Sequence, residues 1–346
     1  MYLLGVDLSD LVSKKATSLN ELAGRRIAVD GYNALYQFLA IIRGATGEPL
    51  MDRAGRVTSH LSGVLYRTVN MVESDVKIVY VFDGEPPTLK EAEIKYRQAV
   101  KEEAVLKYKE ALSKGDVETA RKYAQMTSKL KDEMVDDAKR LLACLGIPWV
   151  QAPSEGEAQA SYMASKGDVW AASSQDYDSL LFNAPRLVRN LTISGRRKLP
   201  GRNVYVEVEP ELIELSRVMS ELGISREQLV DLGILVGTDF NPDGIKGIGP
   251  KTALKLIKEH GGLEKAAEEK GLPIPPNFEE IRQIFLSPKV STDYHLEWKE
   301  PDVEGVASFL CGERDFNEIR VRNALTRMTE SLKKTKGKST LESFFG

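Results

Sequence analysis

Seven acidic residues stand where acid-rich chemistry is assembled. Asp30 follows the run RIAV directly, and Asp83 follows IVYVF directly. Glu155 and Glu157 lie in APSEGEA, just after the short run around Trp149, and Asp176 and Asp178 lie in QDYDSLL, just after VWAASS. Each acidic group sits past the end of a strand-like segment, which is the edge at which open α/β sheets build their sites. Four strand ends converging there bring six carboxylates within reach of one another, and Asp239, in LVGTDF, is a seventh able to join them. Such a cluster repels itself and cannot be fully ionised at neutral pH. Hard divalent cations relieve the repulsion, and all-oxygen ligation selects magnesium, with manganese as a substitute, over zinc. Two such ions about 4 Å apart form a phosphodiester-cleaving centre: they ease deprotonation of water and neutralise the attacking and leaving oxygens. No histidine base is needed, and the chain has only His60, His260 and His295, far apart in sequence. Two of the acids have a second reading. Ser154 with Glu157 fits a capping box, and Asp30 taken alone suits a structural aspartate at a strand end.

These acids need a sheet to carry them. Short β-branched runs at Arg26–Val29, Ile78–Phe82, Trp149–Gln151, Val169–Ala172, Leu187–Leu191 and Val204–Val208 read as strands. Between them, Ala34–Ile42, His60–Val72 and Val135–Leu145 keep helical spacing. Strands separated by helices predict an α/β fold with a mainly parallel sheet flanked by helices. Two regions break the rhythm. From Thr88 to about Asp132 only charged helix formers occur, which reads either as a solvated helical hairpin or as a cover over a site. After Pro210 the pattern is helical to the end.

The segment DFNPDGIKGIGPKT, Asp239–Thr252, nearly matches a phosphate-binding P-loop, but Pro250 intrudes and no strand precedes it. It fits a helix-hairpin-helix instead. Gly247 and Gly249 would form a tight turn whose N–H groups, with Lys251 beside them, face a DNA phosphate at a helix N-terminus. A plain structural turn is the other reading. The formal net charge of -3 excludes a uniformly basic surface, but not acids and bases segregated into separate regions. Cys144 and Cys311 sit among apolar neighbours, as buried free thiols do. With neither a signal peptide nor a run long enough to span a membrane, a cytoplasmic setting fits.

Taken in order, VDGYNALYQFL, TSHLSGVLYRT, VYVFDGEPP, VQAPSEGEAQA, SQDYDSLLF, LVGTDFNPDGIKGIGPK and the terminal STLESFF resemble the flap endonuclease family, its archaeal members in particular. The resemblance covers essentially the whole chain. It implies a twisted sheet with a helical arch over the site, and a monomeric magnesium-dependent nuclease, also a 5′–3′ exonuclease, that cuts branched DNA near a 5′ flap in replication and repair. It implies one ion on Asp30, Asp83, Glu155 and Glu157, some through water, and a second on Asp176, Asp178 and Asp239. Lys90 and Arg97 match the arch-base cations that contact the scissile phosphate. Seven apart on a helix, both would point the same way, although a solvated face would look similar. Tyr36 matches an aromatic on which a base stacks, a position that equally suits core packing, and Arg43 resembles a DNA contact.

The implied organisation is a single nuclease domain over 1–333 and a flexible tail over 334–346. Within the domain lie an N-terminal part to about 100, an arch over about 88–132, an internal part with the helix-hairpin-helix over about 133–260, and C-terminal helices over about 277–333. Leu341, Phe344 and Phe345 at i, i+3, i+4 spacing would bind a sliding clamp. There are two departures from the family pattern. Lys338 stands where a glutamine normally opens the clamp motif. Met1–Leu4 precede the Gly5-Val6 at which family members begin, so the natural start is expected at Gly5. The rivals are a 5′ exonuclease or a bubble or junction nuclease of the same superfamily, a PIN-type ribonuclease, and a non-catalytic clamp-binding DNA scaffold.

Overall fold

In RIAVD and KIVYVF apolar side chains point to both faces, as in strands covered on both sides. Ile27, Val29, Ile78, Tyr80 and Phe82 enter one core cluster, while the alternate residues Ala28, Val79 and Val81 enter another. In the computed structural model these runs are neighbours in a seven-stranded sheet. The structure describes residues 5–44, 47–124, 127, 129–198 and 205–345, without the side chains of 92, 93, 96, 97, 117, 121, 196–198, 205, 206 and 335–345. The strands are β1 (Lys15–Ala16), β2 (Arg26–Asp30), β3 (Lys77–Phe82), β4 (Trp149–Gln151), β5 (Ala171–Ser173), β6 (Arg186–Arg189), β7 (Gly195–Lys198), β8 (Tyr205–Val208) and β9 (Glu211–Glu214). The sheet order is β1-β9-β6-β5-β2-β3-β4. From β6 to β4 every pairing is parallel, and β9 and β1 close the other edge antiparallel. The mainly parallel α/β expectation holds.

Helices cover both faces. Against the first pack α1 (Gly31–Ile41), α2 (Ser59–Glu73), α5 (Asp132–Cys144) and the start of α14 (Glu318–Phe345). Between α2 and α5 come a 3-10 turn at Thr88–Lys90, then α3 (Glu91–Ser113) and α4 (Val117–Ala124), and the charged stretch contains no strand among its described residues. On the second face α6 (Gly156–Lys166) lies close, because Ala160 and Ala164 meet Ala28 and Ala172. A third cluster joins α7 (Asp178–Leu181), α8 (Leu215–Leu222), α9 (Arg226–Val236), α10 (Pro250–His260), α11 (Leu263–Lys270) and α12 (Phe278–Leu286). A short α13 (Val303–Ala307) and a π-helical turn, Ser308–Glu313, precede α14. No helix among the described residues is long and apolar enough to cross a membrane.

One expectation needs correction. The chain after Pro210 is not all helical: ELIE forms β9, and residues 287–302 run without regular structure. Glu and Leu favour helix in isolation, but Leu212 and Ile213 fall in register with Val188 and Leu187 of β6, and burial on the sheet overrides propensity. The extended stretch is fixed by side chains. Trp298 Nε1 donates to the Ile78 carbonyl at 2.7 Å, and Gln159 exchanges two hydrogen bonds with the backbone of Ser291. The strand expected at Val204–Val208 is present as β8 over Tyr205–Val208, pairing with β7 in a separate two-stranded ribbon, and Val204 lies outside the described residues.

Candidate active site

Asp30 ends β2 and begins α1, where its carboxylate caps the helix by accepting from the Asn33 N–H at 3.0 Å. Asp83 follows β3 and accepts from the Gly156 N–H at 2.6 Å, at the first turn of α6. A side chain at Gly156 would collide with that carboxylate, since an added Cβ would lie 2.5 Å from Asp83 Oδ1. Glu155 is the N-cap residue of α6, and Glu157 stands in its first turn. The capping-box reading fails: the Ser154 hydroxyl donates to the Glu85 carbonyl, and no side chain caps α6. Asp176 accepts from the Asn33 side-chain amide at 3.0 Å. That amide is oriented in turn by Gln37 and, behind it, Thr192. Asp178 opens α7 and accepts from the Val6 N–H at 2.7 Å, while Asp239, on the loop after α9, accepts from the Gly5 N–H at 3.0 Å. Gly5 has φ +71, and an added Cβ would sit 2.7 Å from Asp178 Oδ1, so glycine is needed there.

All seven carboxylates thus act on one another at one sheet edge, and Lys90 lies among five of them, Asp30, Asp83, Glu155, Asp178 and Asp239. Its ammonium, only 13% exposed, lies 2.5 Å from Glu155 and 3.0 Å from Asp239. Burial opposes its charge, yet Asp239 and Glu155 hold it well above the ordinary lysine range. The acids pay for crowding. Burial, only partly offset by Asn33, pushes Asp30 up to about 6. Burial, then Asp30 and Glu155, push Asp83 up to about 8, and burial with Asp239 pushes Asp178 up to about 7. Glu157 is raised well above its usual range by burial and by Asp176, Asp30 and Asp178.

Among the described residues no group of three His, Cys, Asp or Glu side chains is set to hold an ion as it stands. The carboxylates turn instead toward backbone N–H groups, Asn33 and Lys90. The donor chemistry nonetheless suits a hard cation: every candidate ligand is oxygen, and charge compensation is short enough that several acids hold protons near neutrality.

This has a measurable consequence. A carboxyl whose folded pKa exceeds its unfolded value holds its proton in the fold while the unfolded chain releases it, so stability falls as pH rises between the two values. With Asp30, Asp83 and Asp178 raised from 3.8 to about 6, 8 and 7, that window runs from about pH 4 to pH 8. Metal-free protein is therefore expected to melt at a higher temperature at about pH 5 than at about pH 8. Added magnesium or manganese should raise the melting temperature far more at the higher pH. Equal metal shifts at both pH values would contradict the raised carboxyls.

The other expected residues are placed as follows. Lys90 ends the 3-10 turn, one residue ahead of α3, so it does not share a helix with Arg97, whose side chain lies outside the described residues. Tyr36 is half-buried on α1 with Lys101 of α3 over its ring, 4.5 Å from the centroid. Arg43, partly buried, donates to the Gly47 carbonyl within its own loop. Gly247 has φ +86, and Gly249 is the N-cap residue of α10, with open space beside both. The preceding element is the helix α9 rather than a strand, so the P-loop reading is closed. Lys251 is exposed and faces Asp10. Leu341, Phe344 and Phe345 lie within the span of α14, but their side chains, like residues Met1–Leu4, lie outside the description. The sequence reading missed Asn33 and Lys101, whereas the Gly5–Val6 end, matched to a family end that folds toward the site, does reach Asp239 and Asp178. Only Asn33 carried a signal, three residues after a helix-capping aspartate.

Two family models match: the XPG N-terminal domain over residues 6–104 and the XPG I-region over residues 146–239. The chain is 58% identical over 334 residues to flap endonuclease 1 of Ignicoccus hospitalis, covering 96% of this chain and 95% of that one. It is 55% identical over 343 residues to flap endonuclease 1 of Pyrococcus abyssi, covering 99% and 98%. The chain belongs to the flap endonuclease family. The solved flap endonuclease-1 from Methanococcus jannaschii agrees in fold, with a TM-score of 0.77 at 46% identity over 96% of this chain and all of that one. The catalytic core of Rad2 in complex with DNA substrate shares the fold at 21% identity, with a TM-score of 0.70. As a flap endonuclease the chain is a DNA-cleaving hydrolase, a structure-specific 5′ flap nuclease of replication and repair that depends on divalent metal.

Proposed function

We propose that the acidic edge holds two magnesium ions, one on Asp30, Asp83, Glu155 and Glu157 and the other on Asp176, Asp178 and Asp239, some ligands acting through water. The observation that carries this is the position of Lys90, whose single ammonium spans Glu155 of the first set and Asp239 of the second. When bound, the ions supply Lewis acidity for an attacking water and for the leaving oxygen. The chain's own residues do the rest. Asn33, Gly156 N–H, Val6 N–H and Gly5 N–H hold the carboxylates in place. Lys90, with Arg97 from α3, meets the scissile phosphate, and the lysine must turn from Glu155 and Asp239 to do so. Tyr36 receives a base on its ring once Lys101 moves aside. The N–H groups at Gly247 and Gly249, with Lys251 beside them, take a phosphate of the duplex without reading sequence, and Arg43 is a further contact. The enzyme acts as a monomer, with 5′–3′ exonuclease activity beside flap cutting.

One end-labelled double-flap DNA, cut beside bubble, four-way-junction and blunt substrates in magnesium, tests the substrate. The double flap is expected to be preferred, with a ligatable nick as product. Preference for a bubble or junction would move the chain elsewhere in the superfamily.

The tail is the proposed sliding-clamp ligand. Two phenylalanines at a polar terminus gain nothing in water, and each contributes roughly 1.5–3 kcal/mol once buried in a partner's pocket. Replacing Phe344 and Phe345 together by Ala is expected to abolish stimulation by the clamp and leave clamp-free cleavage unchanged. Collapse of clamp-free activity would make the tail part of this chain's own fold. Lys338 donates but cannot accept as a glutamine amide does, so clamp binding is expected to rest on the aromatic pair with the first position contributing little; a gain of no more than about twofold in Lys338→Gln would show the lysine to be tolerated.

A further inference from the structure

We infer that Arg189 is a positioning residue that fixes the loop 175–178, and through it the two aspartates Asp176 and Asp178, in the arrangement that takes up a divalent ion. The inference rests on the ligand assignment proposed above. Arg189 ends β6, and its guanidinium, 13% exposed, turns under the loop that leaves β5. Its Nε donates to the Gln175 carbonyl at 2.9 Å, and its Nη1 donates to the Tyr177 hydroxyl at 2.7 Å. The guanidinium also lies 4.3 Å from the centre of the Tyr177 ring. One planar group therefore grips the residue before Asp176 and the residue between the two aspartates. Tyr177 is fully buried, so the grip reaches the loop through a rigid ring.

The charge is balanced from the neighbouring strand. Glu211 of β9 stands opposite Arg189 in the antiparallel register and accepts from Nη1 at 3.1 Å. Arginine is the residue type for this task. Its donors leave one plane in fixed directions, whereas a lysine ammonium is a single point that cannot serve the carbonyl, the hydroxyl and the ring face together. Asp176 and Asp178 are held from the other side by Asn33 and the Val6 N–H. Arg189 thus supplies the support beneath them, and groups of this kind behind ligating side chains govern ion affinity.

The test is calorimetric titration of manganese into metal-free wild-type, Arg189→Met, Arg189→Lys and Asp176→Asn proteins, with flap-DNA affinity measured in calcium. Arg189→Met keeps packing volume against Tyr177 and is expected to weaken manganese binding about tenfold or more. Arg189→Lys should weaken it similarly, and DNA affinity should stay within about threefold for both. Wild-type manganese binding by Arg189→Met, or full recovery in Arg189→Lys, overturns the inference. Should Arg189→Met fail to fold, Tyr177→Phe removes one bond of the grip and is expected to weaken binding about threefold, and unchanged binding there overturns the inference equally. Asp176→Asn separates the two readings. If it binds manganese like wild type, the ligand assignment itself falls; if it loses binding while Arg189→Met does not, only the role of Arg189 falls.

Discussion

Asp178→Asn is expected to lower the flap-cleavage rate about a thousandfold or more at low millimolar magnesium, while flap-DNA binding stays within about tenfold. Asparagine preserves the shape of the side chain and keeps an oxygen for the Val6 N–H, so the local backbone has no reason to move. What it removes is the charge that attracts a hard cation. The same change should act oppositely on stability. Burial, and after it the nearby Asp239, push the Asp178 carboxyl up to about 7. Removing that group eases repulsion, so metal-free Asp178→Asn should melt at a higher temperature than wild type at about pH 8. Activity and metal-free stability measured on the same two proteins check the pair of effects. Near-normal turnover would remove Asp178 from the set of ligands, and a lower melting temperature would mean that its hydrogen bond outweighs the repulsion.

Lys90→Ala is the second large effect, an expected fall of about 100- to 1,000-fold in the single-turnover rate with saturating enzyme. Affinity for the flap should change by no more than about threefold, because one ammonium is a small part of the phosphate contacts that hold DNA. Negative charge grows on the phosphate in the transition state, and a cation meeting it there acts on rate more than on binding. Lys90 also neutralises Glu155 and Asp239, the opposite of Asp178 in sign. Metal-free Lys90→Ala should therefore melt below wild type at about pH 8, where Asp178→Asn melts above it. A defect confined to DNA binding, vanishing at saturating enzyme, would make Lys90 a positioning contact.

Six acids of the site were legible because they follow short apolar runs, and strand ends are recognisable from alternation and length; Asp239 instead follows the helix α9. RIAV, IVYVF and WVQ matched β2, β3 and β4 to within a residue or two. The β9 strand was not legible, since ELIE carries helix-forming residues and becomes a strand only by pairing with β6. The GRRK strand has no apolar pattern to display, and residues 287–302 hold their path through Trp298 and Ser291, whose partners lie on distant elements. The support beneath the site was equally hidden. Arg189 reads as a charged residue ending a strand until the loop from β5 is seen folded over it. Lys90 could be matched to a role, but not to its place between Glu155 and Asp239, because nothing local in LKEAE brings those two residues together.

The carboxylates come from chain positions as far apart as Asp30 and Asp239, and Gly5 donates its N–H to the last of them. β9, which pairs with β6, follows the ribbon in the chain, so it is synthesised after the strands that carry the first acids. A chain emerging from the ribosome begins to fold from its N-terminal end. It displays Asp30, Asp83 and the α6 acids well before the residues that complete the constellation exist. Prematurely terminated products ending before Asp239 would lack both that carboxylate and the partner of the Gly5 amide.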